Sequence, residues 1–340
     1  MLLPWSMLWC SRPQKNGWKQ RFLFNRRNFL LSSGVWLLSL AFGNHQAQRE
    51  IAVRVHHVLT DTPFPPVIAC ADMHIGGTGS TLDGAKFERA IEHARAQVLK
   101  YTSEIPSICV AWDFVCSANL VAHTTHGSVG DFYDIFGELA RKHRIIAALG
   151  NHDTKLADWP TIQRDLASSV SFLTQAEKKE DFGSHFQVLG MPDFNSQSVL
   201  YTDQFMEQLL HSINTHTGTS FILCHDPDGV DFFEKWCLKN GHKVLQSTLF
   251  FCGHTHGGLI GYPVLDRFVA QKTPLHLKSN YVRGTYPSKL GPHVKIVVSV
   301  GIGSYLEAAF RYGEAMPTIH AFVGWKQSWE GEGESLVLTK

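Results

Sequence analysis

Residues 145–153 read Ile-Ile-Ala-Ala-Leu-Gly-Asn-His-Asp, and residues 249–258 read Leu-Phe-Phe-Cys-Gly-His-Thr-His-Gly-Gly. In each, a short apolar run breaks at a glycine and gives way to side chains that bind cations or carry protons. A continuous apolar run of four or five residues suits a strand buried on both faces. Outward from these two stretches the same grammar recurs. Val67–Ala71 leads into Asp72-Met73-His74, and Ile108–Ala111 into Trp112-Asp113. Ile145–Leu149 leads into Gly150-Asn151-His152-Asp153, Phe221–Cys224 into His225, and Leu249–Cys252 into Gly253-His254-Thr255-His256. Parallel sheets place ligand sites beyond the carboxyl ends of their strands. All five clusters are therefore expected on one rim.

Helical patterns separate the runs. Phe87, Ala90, Ile91, Ala94 and Val98 mark one helix face, and Phe132, Ile135, Phe136, Leu139 and Ala140 another. Further amphipathic stretches cover Phe205–Ile213 and Val230–Trp236, the second stopping near Gly241. This alternation predicts a layered α/β domain. From Leu249 onward the pattern is strand-rich, with Lys295–Val300 and Thr318–Val323, and these are expected to build a second sheet packed on the first. Residues 257–294, rich in Gly, Pro and Lys, read as a long loop region.

With 340 residues the chain can bury a large core, as one α/β domain or two smaller ones. A 44% apolar and 18% charged composition is that of a globular protein. Net charge is +1 with both signs interspersed, which argues against a nucleic-acid-binding tract. Seven cysteines form no C-x-x-C pair. Cys70, Cys109, Cys224 and Cys252 fall in the expected core strands and read as packing residues, whereas Cys116 sits just past Asp113. Residues 1–28 carry Arg12, Lys15, Lys19, Arg21, Arg26 and Arg27 and no acid, and Phe29–Phe42 is apolar. Fourteen residues are short for a membrane span and suit a signal-peptide core. Arg26-Arg27-Asn28-Phe29-Leu30 is similar to a twin-arginine export signal. Residues 1–48 thus read as a signal or a membrane anchor ahead of a domain at 49–340, with the side of the membrane that this domain faces left open.

The chemistry lies in the clusters. Carboxylates, an amide oxygen and imidazoles suit borderline-hard divalent metals such as Mn, Fe, Zn or Co. Two such ions side by side form a clamp for phosphate-ester hydrolysis. Asp72 and His74 are two apart beyond a strand end, as are His254 and His256, so each pair can aim at one side of a site. Each block also has a plain reading. His225 alone would be a satisfied core histidine, and Asn151-His152-Asp153 alone a turn or helix cap. His254-Thr255-His256, bracketed by glycines, has little packing rationale. His123, His126 and Asp131 read as surface loop or substrate lip. Lys272, Lys278, Arg283, Lys289 and Arg311 read as solvated charge or as holders of a second phosphate group.

Taken in order, the five blocks resemble the calcineurin-like metallophosphoesterase family. Its pattern runs D-x-H, G-D, G-N-H-D or G-N-H-E, a lone His, and G-H-x-H, and the resemblance covers roughly residues 65–325. Gly253-His254-Thr255-His256-Gly257-Gly258, with looser matches at Tyr281-Val282-Arg283-Gly284, Val300-Gly301-Ile302-Gly303, Arg311 and Pro317, is similar to a branch of exported or membrane-attached bacterial phosphodiesterases that includes UDP-2,3-diacylglucosamine hydrolases. The resemblance implies a four-layer α/β/β/α sandwich with two mixed sheets flanked by helices. It implies one metal on Asp72, His74, Asp113 and His256, and a second on Asp113, Asn151, His225 and His254, with Asp113 bridging. It further implies that His152 acts in proton transfer and that Asp153 orients His152. The family usually has glycine where Trp112 stands, which makes the seat of Asp113 the point to inspect. The substrate implied is a phosphodiester or pyrophosphate, small or lipid-linked, with a phosphoprotein phosphatase, a nucleotide phosphodiesterase and a catalytically weakened binding protein as the alternatives.

Overall fold

The structure is a computed structural model, described here for residues 51–60, 64–74, 84–111, 113–114, 136–153, 159–173, 179–181, 185–194, 200–258, 277–303, 317–325 and 334–338. The signal or anchor at 1–48, Trp112, Cys116, His123, His126, Asp131, Lys272 and Arg311 lie outside these residues. In chain order the strands are β1 (Ala52–Leu59), β2 (Val67–Ala71), β3 (Ser107–Ala111), β4 (Ile145–Ala148), β5 (Val170–Leu173), β6 (Lys179–Asp181), β7 (Phe186–Met191), β8 (Thr219–Cys224), β9 (Thr248–Cys252), β10 (Gly284–Ser288), β11 (Gly291–Val298), β12 (Thr318–Trp325) and β13 (Glu334–Leu338). The helices are α1 (Gly84–Val98), α2 (Trp159–Leu166), α3 (Asp203–Thr215) and α4 (Pro227–Asn240), and residues 136–142 are also helical.

The strands form two mixed sheets. One has seven strands in the order β13-β1-β12-β2-β3-β4-β5, and the other has six in the order β10-β11-β9-β8-β7-β6. In the first, β2 through β5 run parallel, whereas β12 is antiparallel to β2. In the second, β7, β8, β9 and β11 run parallel. Every residue of β2, β3, β4, β8 and β9 is buried, as continuous apolar runs require when both faces are covered.

Three apolar clusters divide the molecule into layers. Phe87, Ile91 and Val98 of α1 pack with Ile68, Cys70 and Val110 on the outer face of the first sheet. Met206 and Leu209 of α3 and Phe233 of α4 pack with Ile222, Phe250 and Cys252 on the outer face of the second. Between the sheets, small side chains of one meet large ones of the other: Ala69, Ala71, Ala111 and Ala148 share a cluster with Phe186, Phe221 and Phe251. This pairing of small with large side chains is what a closely packed interlayer requires. The result is the four-layer α/β/β/α sandwich with two mixed sheets. Helix α4 is delimited as its sequence suggests, with Asp226 accepting the Asp228 amide at its start and Gly241 in the left-handed region at its end. Among the described residues no helix is long and apolar enough to cross a membrane.

Two expectations need correction. Thr318–Val323, expected in the second sheet, returns to the first and lies between β1 and β2. Its alternation explains the choice: Ile319, Ala321 and Val323 join the α1 cluster, while Phe322 points into the interlayer. Residues 257–294 are also not all loop, because β10 and β11 pair there as an antiparallel hairpin. The exposure of β10 alternates between half-buried and exposed, so it carries no apolar signature. The buried cysteines Cys70, Cys109, Cys224, Cys237 and Cys252 are free thiols within the packing clusters, as expected for four of them from sequence.

Candidate metal centre

The carboxyl ends of β2, β3, β4, β8 and β9 bring the five clusters to one rim. From the first sheet come Asp72, His74, Asp113, Asn151, His152 and Asp153, and from the second His225, His254 and His256. All are buried except His152, whose side chain is 18% exposed. Three main-chain bonds stitch the rim together. Met73 and His74 donate their amides to the carbonyl of Asp113 at 2.7 and 3.1 Å, and Gly253 donates to the carbonyl of His225 at 2.9 Å.

Backbone conformation marks the site sharply. The only non-glycine residues with positive φ among those described are Asp72 (49°), His74 (46°), His254 (68°) and His256 (47°). Left-handed backbone costs of order 1–3 kcal/mol for such residues and persists where its surroundings over-determine it. Both pairs therefore reach the centre through a left-handed, x, left-handed turn rather than through the simple alternation of an extended strand. The local geometry thus differs from the strand-like alternation expected from the spacing of the two pairs.

Glycines give this loop its room. A Cβ on Gly253 would lie 2.7 Å from both Ala71 Cβ and Asp72 Oδ2. Gly301, at φ 73°, would place one 2.6 Å from Asp72 Cβ, and Gly303 one at 1.6 Å from the carbonyl of Met73. The Gly301-Ile302-Gly303 segment also donates amides to the carbonyls of Ala71 and Asp72. It thus backs the Asp72 turn, a role that the two glycines signalled only as a looser match.

Asp113 holds the middle. Its Oδ1 accepts the His152 amide at 2.9 Å, and its Oδ2 lies 3.4 Å from His225 Nε2 and 3.8 Å from His152 Nε2. His225 Nε2 also lies 3.1 Å from Asn151 Oδ1. On the other side His74 Nε2 and His256 Nε2 are 3.2 Å apart. The Asp72 carboxylate accepts the His254 amide at 2.9 Å on each oxygen, and His254 lies ring to ring with His225 at 5.1 Å. Asp153 is turned toward main chain: it accepts the amides of Phe114 at 3.1 Å and Gly150 at 3.3 Å. It thereby ties the residue after Asp113 to the start of the Asn151-His152 turn.

Several observations fit divalent cations. Ligand atoms of Asp72, His74 and His256 lie within 4.8 Å of one another, as do those of Asp72, Asp113 and His225, and those of His74, Asp113 and His152. Two imidazole nitrogens at about 2.1 Å from one ion stand about 3.0–3.4 Å apart for right-angle to tetrahedral geometry, which brackets the His74–His256 separation. His225 Nδ1 and His254 Nε2 are buried without a hydrogen-bond partner, and such groups call for a partner of some kind. The electrostatics agree. Burial alone lowers the pKa of His225, yet Asp113 and Asp72 outweigh it and push the value up to about 10. Burial also raises Asp72 to about 6 against the pull of His225. For Asp113 burial acts upward too, but His225, His152 and His74 hold it well below the usual carboxylate range. A site that so favours positive charge on an imidazole is one that favours cations. Two points were not legible from sequence: His152 stands close enough to share a cation with His74 and Asp113, and His254 belongs to none of the three groups. No protein-family model matches the chain, and no curated protein matches it.

Proposed function

We propose that this chain is a phosphoesterase dependent on two divalent cations, of the calcineurin-like kind, hydrolysing a phosphodiester or pyrophosphate bond. The observation that supports the reading most is the position of Asp113, which shares one group of closely spaced ligand atoms with Asp72 and His225 and another with His74 and His152. Asp72, His74, Asp113 and His256 would hold one cation, and Asp113, Asn151, His225 and His254 the other. Asn151 adds an oxygen without adding charge, which keeps the site able to accept an anion. Such cations, when bound, supply Lewis acidity at the phosphoryl oxygens and lower the pKa of water toward neutrality.

The remaining steps belong to side chains. His152, partly open to solvent, gives a proton to the leaving oxygen. Its main-chain bond to Asp113 fixes its distance from the centre. Asp153 is a positioning residue that acts through the turn it fastens. The apolar Phe29–Phe42 and the resemblance of the G-H-T-H-G-G block support a membrane-associated protein acting on a lipid-linked phosphate such as UDP-2,3-diacylglucosamine.

The test is to load the full-length protein with Mn, Fe, Zn or Co in turn, count bound metal by mass spectrometry, and assay bis(p-nitrophenyl) phosphate, p-nitrophenyl phosphate and a UDP-sugar lipid. Two ions per chain with diester or pyrophosphate cleavage is the expected result. Fewer ions and no hydrolysis would instead mark a binding protein on the same scaffold.

A further inference from the structure

Three cations of the later loops are described, and their surroundings differ. Lys289 Nζ lies 3.0 Å from Asp231 and 3.2 Å from Glu234, so its charge is taken up on the flank of α4. Lys278 is exposed, with its amide accepted by Asp228. Arg283 is half-buried, and its Nη1 reaches the carbonyl of Gly257 at 3.4 Å, the residue directly after His256.

The backbone that carries Arg283 is fastened to the metal-centre loop at several points. Thr255 Oγ1, between the two histidines of that loop, donates to the carbonyl of Val282 at 2.5 Å. The Tyr286 hydroxyl accepts the amides of Val282 and Arg283 at 3.1 and 3.2 Å. Asp228, in the first turn of α4, accepts the amides of Lys278 and Ser279, and the Tyr281 hydroxyl donates to buried Glu234 at 2.5 Å. The main chain that carries Arg283 is therefore fastened to the metal-centre loop, and the guanidinium meets that loop at the Gly257 carbonyl.

We propose that Arg283 is a specificity-determining residue whose guanidinium binds a second anionic group of the substrate, beside the phosphate taken by the metal centre. The inference rests on the phosphoesterase reading and narrows it to substrates with two neighbouring anionic groups. A planar guanidinium matches a phosphate or carboxylate through paired N–H donors, which an ammonium cannot do. Its fastened main chain limits the positions that the guanidinium can reach, so the gain is selective for a charge within that reach.

The experiment measures calorimetric binding of inorganic pyrophosphate and inorganic phosphate to the metal-loaded full-length protein, with metal content checked in parallel. Wild type is expected to prefer pyrophosphate. Arg283→Gln should cut that preference at least tenfold with metal content retained, Arg283→Lys should keep part of it, and Lys278→Gln should leave it as in wild type. Equal weakening of both anions, or an unchanged ratio in Arg283→Gln, would overturn the proposal. Binding needs no turnover, so a wild type that binds both anions yet hydrolyses no ester would sink the phosphoesterase reading while leaving the role of Arg283 standing.

Discussion

The amide of His254 donates to both carboxylate oxygens of Asp72, each at 2.9 Å, so a backbone group of the second sheet is centred on a side chain of the first. Asp72 thereby has two tasks, presenting charge to the centre and fixing the left-handed turn at His254. Asp72→Ala should remove both. We expect hydrolysis to fall by more than a thousandfold with loss of bound metal. A buried charge-assisted bond of about 1.5–3 kcal/mol should also be lost, lowering the melting temperature by several degrees. Mass spectrometry and calorimetry read the two effects separately, and near-native activity would end the two-cation mechanism.

Glycine substitutions should sort by position. Gly253→Ala and Gly301→Ala each drive a methyl group into Asp72, and Gly301 also needs its positive φ. Overpacking of this kind costs about 1–3 kcal/mol, and both variants should lose activity along with stability. Gly137, in the helix at 136–142, has nothing within 4 Å of an added Cβ. Gly137→Ala should stabilise by about 0.5–1 kcal/mol. Urea unfolding of the three variants decides the matter, and equal behaviour would show that the close approach at Asp72 is of no consequence.

His152 is open to two roles, proton donor or cation ligand. As a donor, His152→Ala keeps the wild-type metal content and slows turnover by about a hundredfold or more. That loss should shrink for good leaving groups, which need no proton. Metal lost from the variant would instead make His152 a ligand.

His320 gives a pH signature far from the centre. Burial holds its pKa well below 6.5, helped by His56 and Arg54, and its Nδ1 sits 2.9 Å from His56 Nε2 between the sheets. In the unfolded chain His320 takes up a proton below about 6.5, whereas the folded chain resists it. Its contribution is therefore complete above that pH and declines as pH falls toward the depressed folded value. Urea midpoints of wild type should drop between about pH 6.5 and 4.5 more steeply than those of His320→Gln. Parallel curves would exclude this source of acid sensitivity.

The address is tested by the N-terminus. Ile51 is buried and β1 begins at Ala52, so deleting residues 1–48 should leave a soluble, active domain. Replacing Arg26-Arg27 with Lys-Lys keeps charge and removes the guanidinium pair. Cell fractionation should show that variant held in the cytoplasm if export uses the twin-arginine route, and still in membranes if the segment is an ordinary anchor. Full-length protein found wholly in the soluble cytoplasm would defeat both.

The parts of this fold that were legible share one property: burial on both faces writes a continuous apolar run, as at Val67–Ala71 or Leu249–Cys252. Because each such run ends at a ligand-type residue, the convergence of Asp72, Asp113, Asn151, His225 and His256 could be read before any coordinate. Elements with one wet face were harder. The strand β10 carries a weak pattern, and the return of β12 to the first sheet is a matter of topology that no local stretch encodes. The left-handed turns at Asp72, His74, His254 and His256 were invisible for another reason. Asp and His adopt that conformation more often than most residues but still rarely, and the close approach of Gly253, Gly301 and Gly303 to the Asp72 turn is a tertiary feature that no local stretch encodes.

One consequence follows from the ligand-type residues being drawn from two different sheets. Their separations are set by how far the layers have slid across each other, and therefore by the girth of side chains deep between them. Enlarging Ala111 or Ala148, or replacing Phe221 by a smaller side chain, should therefore shift the distance between Asp113 and His225, because all three share the cluster between the sheets. Displacements of about 1 Å in such arrangements change rates by about a hundredfold. The candidate centre can thus be adjusted from the dry interior, without altering a single group that lines it.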